Sequence, residues 1–275
     1  MVEKYGFEVA SDETPAKVTM SNRLARSAQG LSLSEKRIVA LALVREDSKS
    51  TSRLAEASTE RGWKTQIRAI DYAEAFNIDA NTAYDQLKAA ADRLFERQVT
   101  YEDKNSRGKP RINKFRWVSL AQYTVGDGLI ELNFTPEIAP HLLGLRSHFT
   151  SYKLKHAASF ESIYAWRLFE VLASWRSTGL YTASIEDFWE AMEAPPSCRK
   201  DFKSLRVRVI EPAVTAIQQH AGLKIEWLPI RSGARRVTSL EFRFGPDPQG
   251  KLDLGEESHP TLNGSDAFGI RPTSP

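Results

Sequence analysis

Residues 199 to 208, RKDFKSLRVR, hold five cations and one acid among apolar residues that recur at helical spacing. At about 100° per residue, Phe202, Leu205 and Val209 lie on one face of a helix, which Ala213 and Ile217 continue. This pattern predicts one long helix that starts near residue 199 and packs its apolar face on the protein. The chemistry of such a helix belongs to its other face.

The outward face of this helix is polar and basic. Its members are Lys200, Lys203, Ser204 and Arg208. Arg206 is expected closer to the edge of the apolar face, where its stem can pack while its guanidinium reaches solvent. A solvated helix usually mixes both signs of charge, and cations in the first turns oppose the positive end of the helix dipole. A bound polyanion relieves both costs, so the stretch indicates a polyanion-binding surface.

Two loops are also basic. The segment KNSRGKPRINKFR, 104 to 116, has six cations and no acid, and RSGARR, 231 to 236, places three arginines around a glycine. We expect both loops at the tips of hairpins, where winged-helix proteins contact the sugar-phosphate backbone or the minor groove. The expected contacts are Lys104, Arg107, Lys109 and Arg111 in the first loop and Arg231, Arg235 and Arg236 in the second. A basic helix with basic loops favours double-stranded DNA as the partner.

A second helix, in DANTAYDQLK, carries fewer charges. Its outer side offers groups that can bond phosphates or bases: Asn81, Thr82, Tyr84 and Lys88. Asp85 lies there too, so we expect weaker contact from this helix, mostly with the backbone of the DNA.

The elements that position these residues follow the same order twice. Ser32 and Glu35 form a capping box that starts a helix over about 33–46, and a short strand, a short helix and a longer helix over about 80–97 follow. Alternating strands joined by glycine turns come next. The second half again reads as helix, helix, helix and hairpin, and 70–76 resembles 185–192 in residues. The predicted fold class is α+β, two tandem winged-helix domains in pseudo-repeat.

We expect four regions. Residues 1–21 are a flexible arm, 22–148 the first winged-helix domain, 149–245 the second domain with the main DNA recognition, and 246–275 a disordered tail. The tail has a net charge of −3, which leaves +6 for residues 1–245. The body of the protein is therefore basic and the tail acidic.

The sequence lacks the residues that several kinds of chemistry require. Cys198 is the only cysteine, so neither an intrachain disulfide nor a thiolate metal cluster can form, and we interpret it as a structural thiol. The five histidines are scattered, no phosphate-binding loop occurs, and the acids form no compact cluster. No apolar run approaches the roughly 20 residues that span a bilayer. We expect a cytoplasmic protein without metal, cofactor, membrane contact or catalytic site.

Three stretches resemble a known family. They are SNRLARSAQGLSLSEKRIVALAL, FTPEIAPHLLGLRSHFTSYKLKHAASFESIYAWRLFEVL and DFKSLRVRVIEPAVTAIQQHAGLKIEWLPIRSGARRVTSLEFRF. Together they are similar to the replication initiator (Rep) proteins of iteron-containing, theta-replicating bacterial plasmids, in the same order over about 20–245. The motifs F-x-Y/S-Y-x-L-K and R-L-F/Y-E-x-L carry most of the similarity.

The resemblance implies two winged-helix domains that bind direct repeats (iterons) at a plasmid origin as a monomer. It also implies a homodimer, made through the first domain, that represses the protein's own promoter, and it implies a host initiator and a replicative helicase as partners. The major-groove contacts would fall on Lys200, Lys203, Ser204, Arg206 and Arg208. The wing contacts would fall on Arg231, Arg235 and Arg236.

The family's leucine-zipper-like heptad is matched only in spacing. Leu24, Leu31 and Ile38 lie seven residues apart, but Gly30 interrupts the run and a new helix starts at Ser32. We expect these three residues in the core of the first domain.

Three alternatives stay open at this point. A winged-helix transcriptional regulator would use the same parts, but on a single palindrome instead of several direct repeats of about 20 base pairs. A strand-nicking replication enzyme would form a covalent 5′ adduct with origin DNA. A protein-interaction module would use its basic face on acidic partners and would not depend on Lys200 and Lys203 for DNA affinity.

Overall fold

The computed structural model describes residues 16–44, 60–124, 126–143, 149–233 and 236–247. The strands are β1 (Lys17–Ser21), β2 (Trp63–Arg68), β3 (Gln98–Lys104), β4 (Pro110–Arg116), β5 (Val118–Tyr123), β6 (Leu129–Phe134), β7 (Phe149–Lys153), β8 (Leu180–Ser184), β9 (Leu223–Ser232) and β10 (Arg236–Pro246). The first helices are α1 (Asn22–Arg26), α2 (Leu33–Val44), α3 (Ala69–Phe76), α4 (Ala80–Glu96), α5 (Ala139–Leu142) and α6 (Leu154–Ala158). The later ones are α7 (Ile163–Ala173), α8 (Ile185–Met192), α9 (Pro196–Lys200), α10 (Phe202–Leu205), a π-helical turn (Arg206–Ile210) and α11 (Glu211–Ala221).

The first half builds an antiparallel sheet in the order β2-β6-β5, covered by α2, α3 and α4. Strand β2 alternates, so that Trp63, Thr65 and Ile67 are buried while the residues between them face outward. In α4 the apolar residues lie on one stripe, and Ala83, Leu87 and Leu94 are buried there. A two-stranded hairpin of β3 and β4 stands apart from this sheet.

The second half repeats the arrangement with a sheet in the order β8-β10-β9. Helix α7 precedes β8 in the chain, and α8 packs on β8 and β10. The helical stretch from α10 to α11 is followed by β9. The strand orders of the two sheets correspond one to one. The predicted pseudo-repeat is therefore present in the topology.

Matching backbone features support the repeat. Asn77 and Glu193 both adopt a left-handed conformation, each directly after the helix that follows the first strand of its sheet. Gly62 and Gly179 also have positive φ and precede the first strand of each sheet. A Cβ at Gly62 would lie 2.2 Å from the carbonyl oxygen of Phe134, and a Cβ at Gly179 would lie 2.8 Å from the carbonyl oxygen of Phe244. Only glycine fits such a close approach at positive φ.

The N-terminal boundary differs from the expectation. Lys17–Ser21 was assigned to a flexible arm, but it forms β1, which pairs antiparallel with β7 from the other side of the expected boundary at residue 148. Val18 and Met20 are buried, and their apolar side chains explain why the segment is held. The arm before residue 16 and the tail after residue 247 lie outside the described residues, and the division into domains stays a proposal.

Leu24, Leu31 and Ile38 lie in the core, as predicted, with at most 4% of each exposed. Helix α1 ends at Arg26 and α2 begins at Leu33, so no continuous helix joins the three. Ser32 and Glu35 form the predicted box, since the Ser32 backbone N–H donates to Glu35 Oε2 at 2.6 Å.

Buried charges connect the two halves. Lys36 Nζ in α2 lies 2.7 Å from Glu170 Oε2 in α7 and donates to Gln29 Oε1 at 2.7 Å. The Tyr152 hydroxyl donates to Glu170 Oε1 at 2.6 Å. Burial lowers the pKa of Lys36 and raises the pKa of Tyr152. Arg167, also in α7, donates to the carbonyl oxygen of Ser27. These contacts order the two halves against each other.

Candidate nucleic-acid interface

The basic stretch of the second half starts with a helix break at Asp201. Its backbone is extended, with φ −137° and ψ 114°, so α9 ends at Lys200 and a new helix begins at Phe202. The Asp201 carboxylate accepts hydrogen bonds from the backbone N–H groups of Lys203, at 3.2 Å, and Ser204, at 2.9 Å. The prediction of one continuous helix from about 199 was wrong, because this N-cap favours an extended residue inside the stretch.

The Asp201 cap also involves the Ser204 side chain. The Ser204 hydroxyl donates to Asp201 Oδ2 at 2.7 Å, and this hydrogen bond is the main cause that lowers the pKa of Asp201. Ser204 is half-buried, whereas Lys203 is exposed. The Ser204 hydroxyl oxygen keeps a lone pair for another donor, but its proton is committed to the cap.

Lys200 belongs to a different helix from the one predicted. It lies at the C-terminal end of α9, and it is exposed. Its preceding neighbour Arg199 donates to the carbonyl oxygen of Ala194 and pairs with Glu190. The break at Asp201 means that a single helical wheel does not relate Lys200 to Arg208.

The π-helical turn changes the outward face of the next segment. The Glu211 backbone N–H donates to the carbonyl oxygen of Arg206, five residues back, instead of four. Arg206, Val207 and Arg208 are all exposed. The side chain of Arg206 is 47% exposed, and its Nε lies 3.4 Å from Glu211 Oε1.

The inward face of this helical stretch is as predicted. Leu205, Val209, Ala213 and Ile217 are buried, and Phe202 is half-buried at the start. Ile210 and Val214 are buried with them. The core therefore fixes the helix while its cations face solvent.

The hairpin of β9 and β10 carries the predicted wing arginines. Arg231 and Arg236 are exposed close to the turn, and Arg235 lies outside the described residues. Arg236 Nη2 stands 3.8 Å from Glu186 Oε1 at the start of α8. Since 79% of Arg236 is exposed, this contact leaves the guanidinium accessible to an anion.

The first half presents a comparable but less basic helix. Asp79 caps α4 by accepting from the backbone N–H groups of Asn81, at 3.1 Å, and Thr82, at 3.2 Å. Both of these residues are exposed and Tyr84 is half-buried. Lys88 is also half-buried, and its Nζ lies 4.6 Å from the centre of the Tyr123 ring in β5. Lys88 thus lies against the sheet instead of standing free on the outer side.

The basic loop at 104–116 is not the tip of the sheet in the first half. The sheet strands β5 and β6 are joined through Gly126–Gly128 with Asp127 between them, whereas the basic loop joins the separate strands β3 and β4. Its wing position was therefore a wrong assignment, since Trp117 separates β4 from β5 and breaks the expected single strand.

The tip of this additional hairpin is nevertheless well ordered and basic. Asn105 Oδ1 accepts from the backbone N–H of Arg107 at 2.9 Å and of Lys109 at 3.0 Å, an Asx-type turn. Arg107, Lys109 and Arg111 are exposed, and the side chain of Lys104 lies outside the described residues.

Val207 is the residue of this surface that the sequence reasoning missed. It follows Phe202 by five positions, which is about 140° around a regular helix. The signal in the sequence is an apolar residue at an outward angle of the predicted helix.

Within the described ranges, no helix is long and apolar enough to cross a membrane, and no group of three or more His, Cys, Asp or Glu could hold a metal.

Family comparison finds similarity over most of the chain. Residues 17–173 match the family model described as "Initiator Replication protein, WH1", and residues 184–244 match "Initiator Rep protein, WH2". The chain is 26% identical over 211 residues to an "Uncharacterized 27.6 kDa protein" of Escherichia coli, covering 75% of this chain and 87% of that protein. It is 23% identical over 177 residues to a "Probable replication protein rep" of Bifidobacterium longum (strain NCC 2705), covering 64% of this chain and 57% of that protein.

Among solved structures, the chain resembles the one described as "Crystal structure of Pi initiator protein in complex with iteron DNA". The TM-score is 0.69 with 22% identity, and the match covers 85% of this chain and 98% of the other. This likeness concerns the fold. Together with the two matched domain families it confirms the predicted pair of winged-helix domains.

Proposed function

Because the chain belongs to the family of plasmid replication initiator proteins with two winged-helix domains, we propose that it binds origin direct repeats (iterons) sequence-specifically as a monomer. The second domain supplies the major-groove contacts and the first domain auxiliary ones. The protein has no catalytic step in this proposal. Its binding energy deforms adjacent A·T-rich DNA, and it recruits the host initiator and helicase.

The observation that carries the proposal is the capped helix at Asp201. An α-helix fits the major groove with its first turns towards the base edges, and here those turns expose Lys203, Arg206 and Arg208. The wing residue Arg236 is exposed on the adjacent hairpin. Lysine and arginine neutralise phosphates and form hydrogen bonds with guanine, so this surface has the residue types that bind duplex DNA.

The contacts we propose remain those expected from the sequence. In the second domain they are Lys200, Lys203, Ser204, Arg206, Arg208, Arg231, Arg235 and Arg236. In the first domain and its additional hairpin they are Asn81, Thr82, Tyr84, Lys88, Lys104, Arg107, Lys109 and Arg111. Lys88 and Ser204 contribute least among these, because both are half-buried, Lys88 lies against the Tyr123 ring and the Ser204 hydroxyl donates to Asp201.

A homodimer formed through the first domain would repress the protein's own promoter. This part of the proposal follows from membership of the initiator family. A transcriptional regulator without initiator activity is the second candidate, because the same helix and wing would serve it.

The test is footprinting of the purified protein on DNA flanking its own gene, followed by affinity measurements on the protected duplex. About eight cations at phosphates give a slope of log affinity against log salt near −7. We expect protection of several direct repeats about 20 base pairs apart. A single protected palindrome would favour the regulator, and a slope near −2 would contradict joint engagement of both domains.

The decisive variant combines Lys200→Glu with Lys203→Glu. We expect at least a tenfold loss of affinity for the protected duplex, since two phosphate-binding cations become acids. Lys64→Glu with Lys224→Glu is the matched control, because it changes the net charge by the same amount at two exposed lysines outside the proposed contacts. Equal losses in both variants would indicate a general charge effect. A covalent 5′ adduct on supercoiled origin DNA would overturn the non-enzymatic proposal.

A further inference from the structure

Val207 is an exposed apolar residue in the middle of a cationic surface. It lies between Arg206 and Arg208, and 48% of its surface is accessible to solvent. Single exposed apolar residues are common on proteins and need no explanation by themselves. The position of Val207 is what distinguishes it, because it lies between the exposed Arg206 and Arg208 in the chain and four residues, about one helical turn, after the exposed Lys203.

The surrounding structure holds Val207 outward. Leu205 before it and Val209 after it are buried, and they anchor both sides of the turn in the core. The π-helical turn begins at Arg206, and Asp201 caps the helix one turn earlier. A β-branched side chain in a helix has one strongly preferred χ1 rotamer, so the two methyl groups of Val207 have a nearly fixed direction.

Thymine offers a matching group in the major groove. Its C5-methyl is the one apolar feature among the base edges exposed there, and small apolar side chains recognise it. Phosphates and guanine edges would meet the two flanking arginines, while an apolar side chain between them gains nothing from phosphate. The cations select a polyanion, and the methyl groups select a base within it.

From these observations we infer that Val207 contacts a thymine methyl group and is a specificity-determining residue of the second domain. This inference rests on the proposed DNA binding and adds to it one named base feature. It requires that the helix enters the major groove, where the methyl group is accessible, and it assigns to an uncharged residue part of the sequence preference.

The test removes the methyl groups from each side separately. On the DNA side, each thymine of a duplex protected by the full-length chain is replaced singly by deoxyuridine, which pairs in the same way but lacks the C5-methyl. On the protein side, Val207→Ala removes two methyl groups and retains a good helix former at an exposed position. Affinity is measured for every combination at one fixed salt concentration.

We expect one thymine position per repeat at which deoxyuridine weakens the wild type about fourfold, the effect of one buried methyl-sized group. The same replacement should leave Val207→Ala unaffected, because the partner is already missing. Leu228→Ala is the matched control, as Leu228 is 46% exposed on β9, outside the helix. It should respond to deoxyuridine as the wild type does.

Two outcomes separate the inference from the proposed function. If the wild type protects no duplex, sequence-specific DNA binding itself fails. If it protects a duplex but no thymine shows an effect that depends on Val207, the DNA-binding function stands and the assignment of Val207 is overturned.

Discussion

Asp201 explains how a helix can begin within a cationic stretch. Lys200 and Lys203 flank the positive end of the helix dipole, an unfavourable place for cations in isolation. The Asp201 carboxylate satisfies two backbone N–H groups there and adds a negative charge at that end. Its lowered pKa keeps it ionised, so the helix start is stabilised at neutral pH and loses this support as the pH falls through the pKa of the folded state.

The charge and the cap of Asp201 can be separated by substitution. Asp201→Asn retains a good N-cap but removes a negative charge beside the proposed DNA surface. We expect this variant to bind the protected duplex about two- to fivefold more tightly. Asp201→Ala removes the cap as well, and we expect it to bind more weakly than the asparagine variant. Fluorescence anisotropy at constant salt measures both, and the prediction fails if alanine and asparagine behave alike.

At the scale of elements, the sequence predicted only those features that follow from a regular periodicity. Helices α2, α3 and α4 and the strands of both sheets follow from apolar spacing, caps and turn residues. The buried face of the helical stretch from α10 to α11 followed in the same way. The assumption of about 100° per residue failed where the helix was not regular, at the Asp201 break and the π-helical turn.

The extra residue of the π-helical turn can be seen by comparing the two halves. Ala83 and Leu205 are both buried four positions after their caps, Asp79 and Asp201. Further along, Leu94 lies fifteen positions after its cap and its counterpart Ile217 lies sixteen. The wide turn takes up this one residue. Sequence alone does not say where in a helix an added residue is absorbed.

The hairpin of β3 and β4 was misassigned for a related reason. Alternation over 110–123 reads as one long strand, but Trp117 is fully buried between β4 and β5, and its ring N–H donates to the carbonyl oxygen of Gln29 at 3.1 Å. A contact with a residue so distant in sequence is not encoded in local alternation. The basic residues were found correctly, but their element was not.

Gly179 allows a test of the steric role of the glycine that precedes the first strand of each sheet. A Cβ there would be 2.8 Å from the Phe244 carbonyl oxygen, and φ is +63°. We expect Gly179→Ala to lower the free energy of unfolding by about 1–3 kcal/mol, because both the contact and the backbone become strained. Gly245→Ala is the control: an added Cβ meets nothing within 4 Å, so we expect a change below about 0.5 kcal/mol. Urea denaturation of both variants decides, and equal effects would refute the steric explanation.

At the scale of the molecule, the two winged-helix units are not independent bodies. Strand β1, from the start of the described chain, pairs with β7 beyond the expected boundary. Arg26 also reaches across, as its Nε donates to the Ser174 hydroxyl at 2.9 Å. A boundary at residue 148 separates the repeats in topology but cuts through shared contacts. We therefore expect the two halves to unfold together in one transition.

The buried pair of Lys36 and Glu170 is the strongest test of this coupling, because at most 1% of either side chain is exposed. Lys36→Met would leave the Glu170 carboxylate buried without its cation, and we expect a loss of about 3–5 kcal/mol in the free energy of unfolding. Adding Glu170→Gln removes the unpaired charge while the Tyr152 hydroxyl can still donate to the amide oxygen, so the double variant should recover most of that loss.

Urea denaturation followed by tryptophan fluorescence measures the free energy of unfolding of these variants, since Trp166 donates its ring N–H to Tyr152 within the same network. Lys64→Met is the control and should cost about 1 kcal/mol or less, because Lys64 is exposed and its partner Glu131 is only partly buried. A double variant as unstable as Lys36→Met alone would mean that the two charges do not couple, and that the other contacts between the halves hold them together.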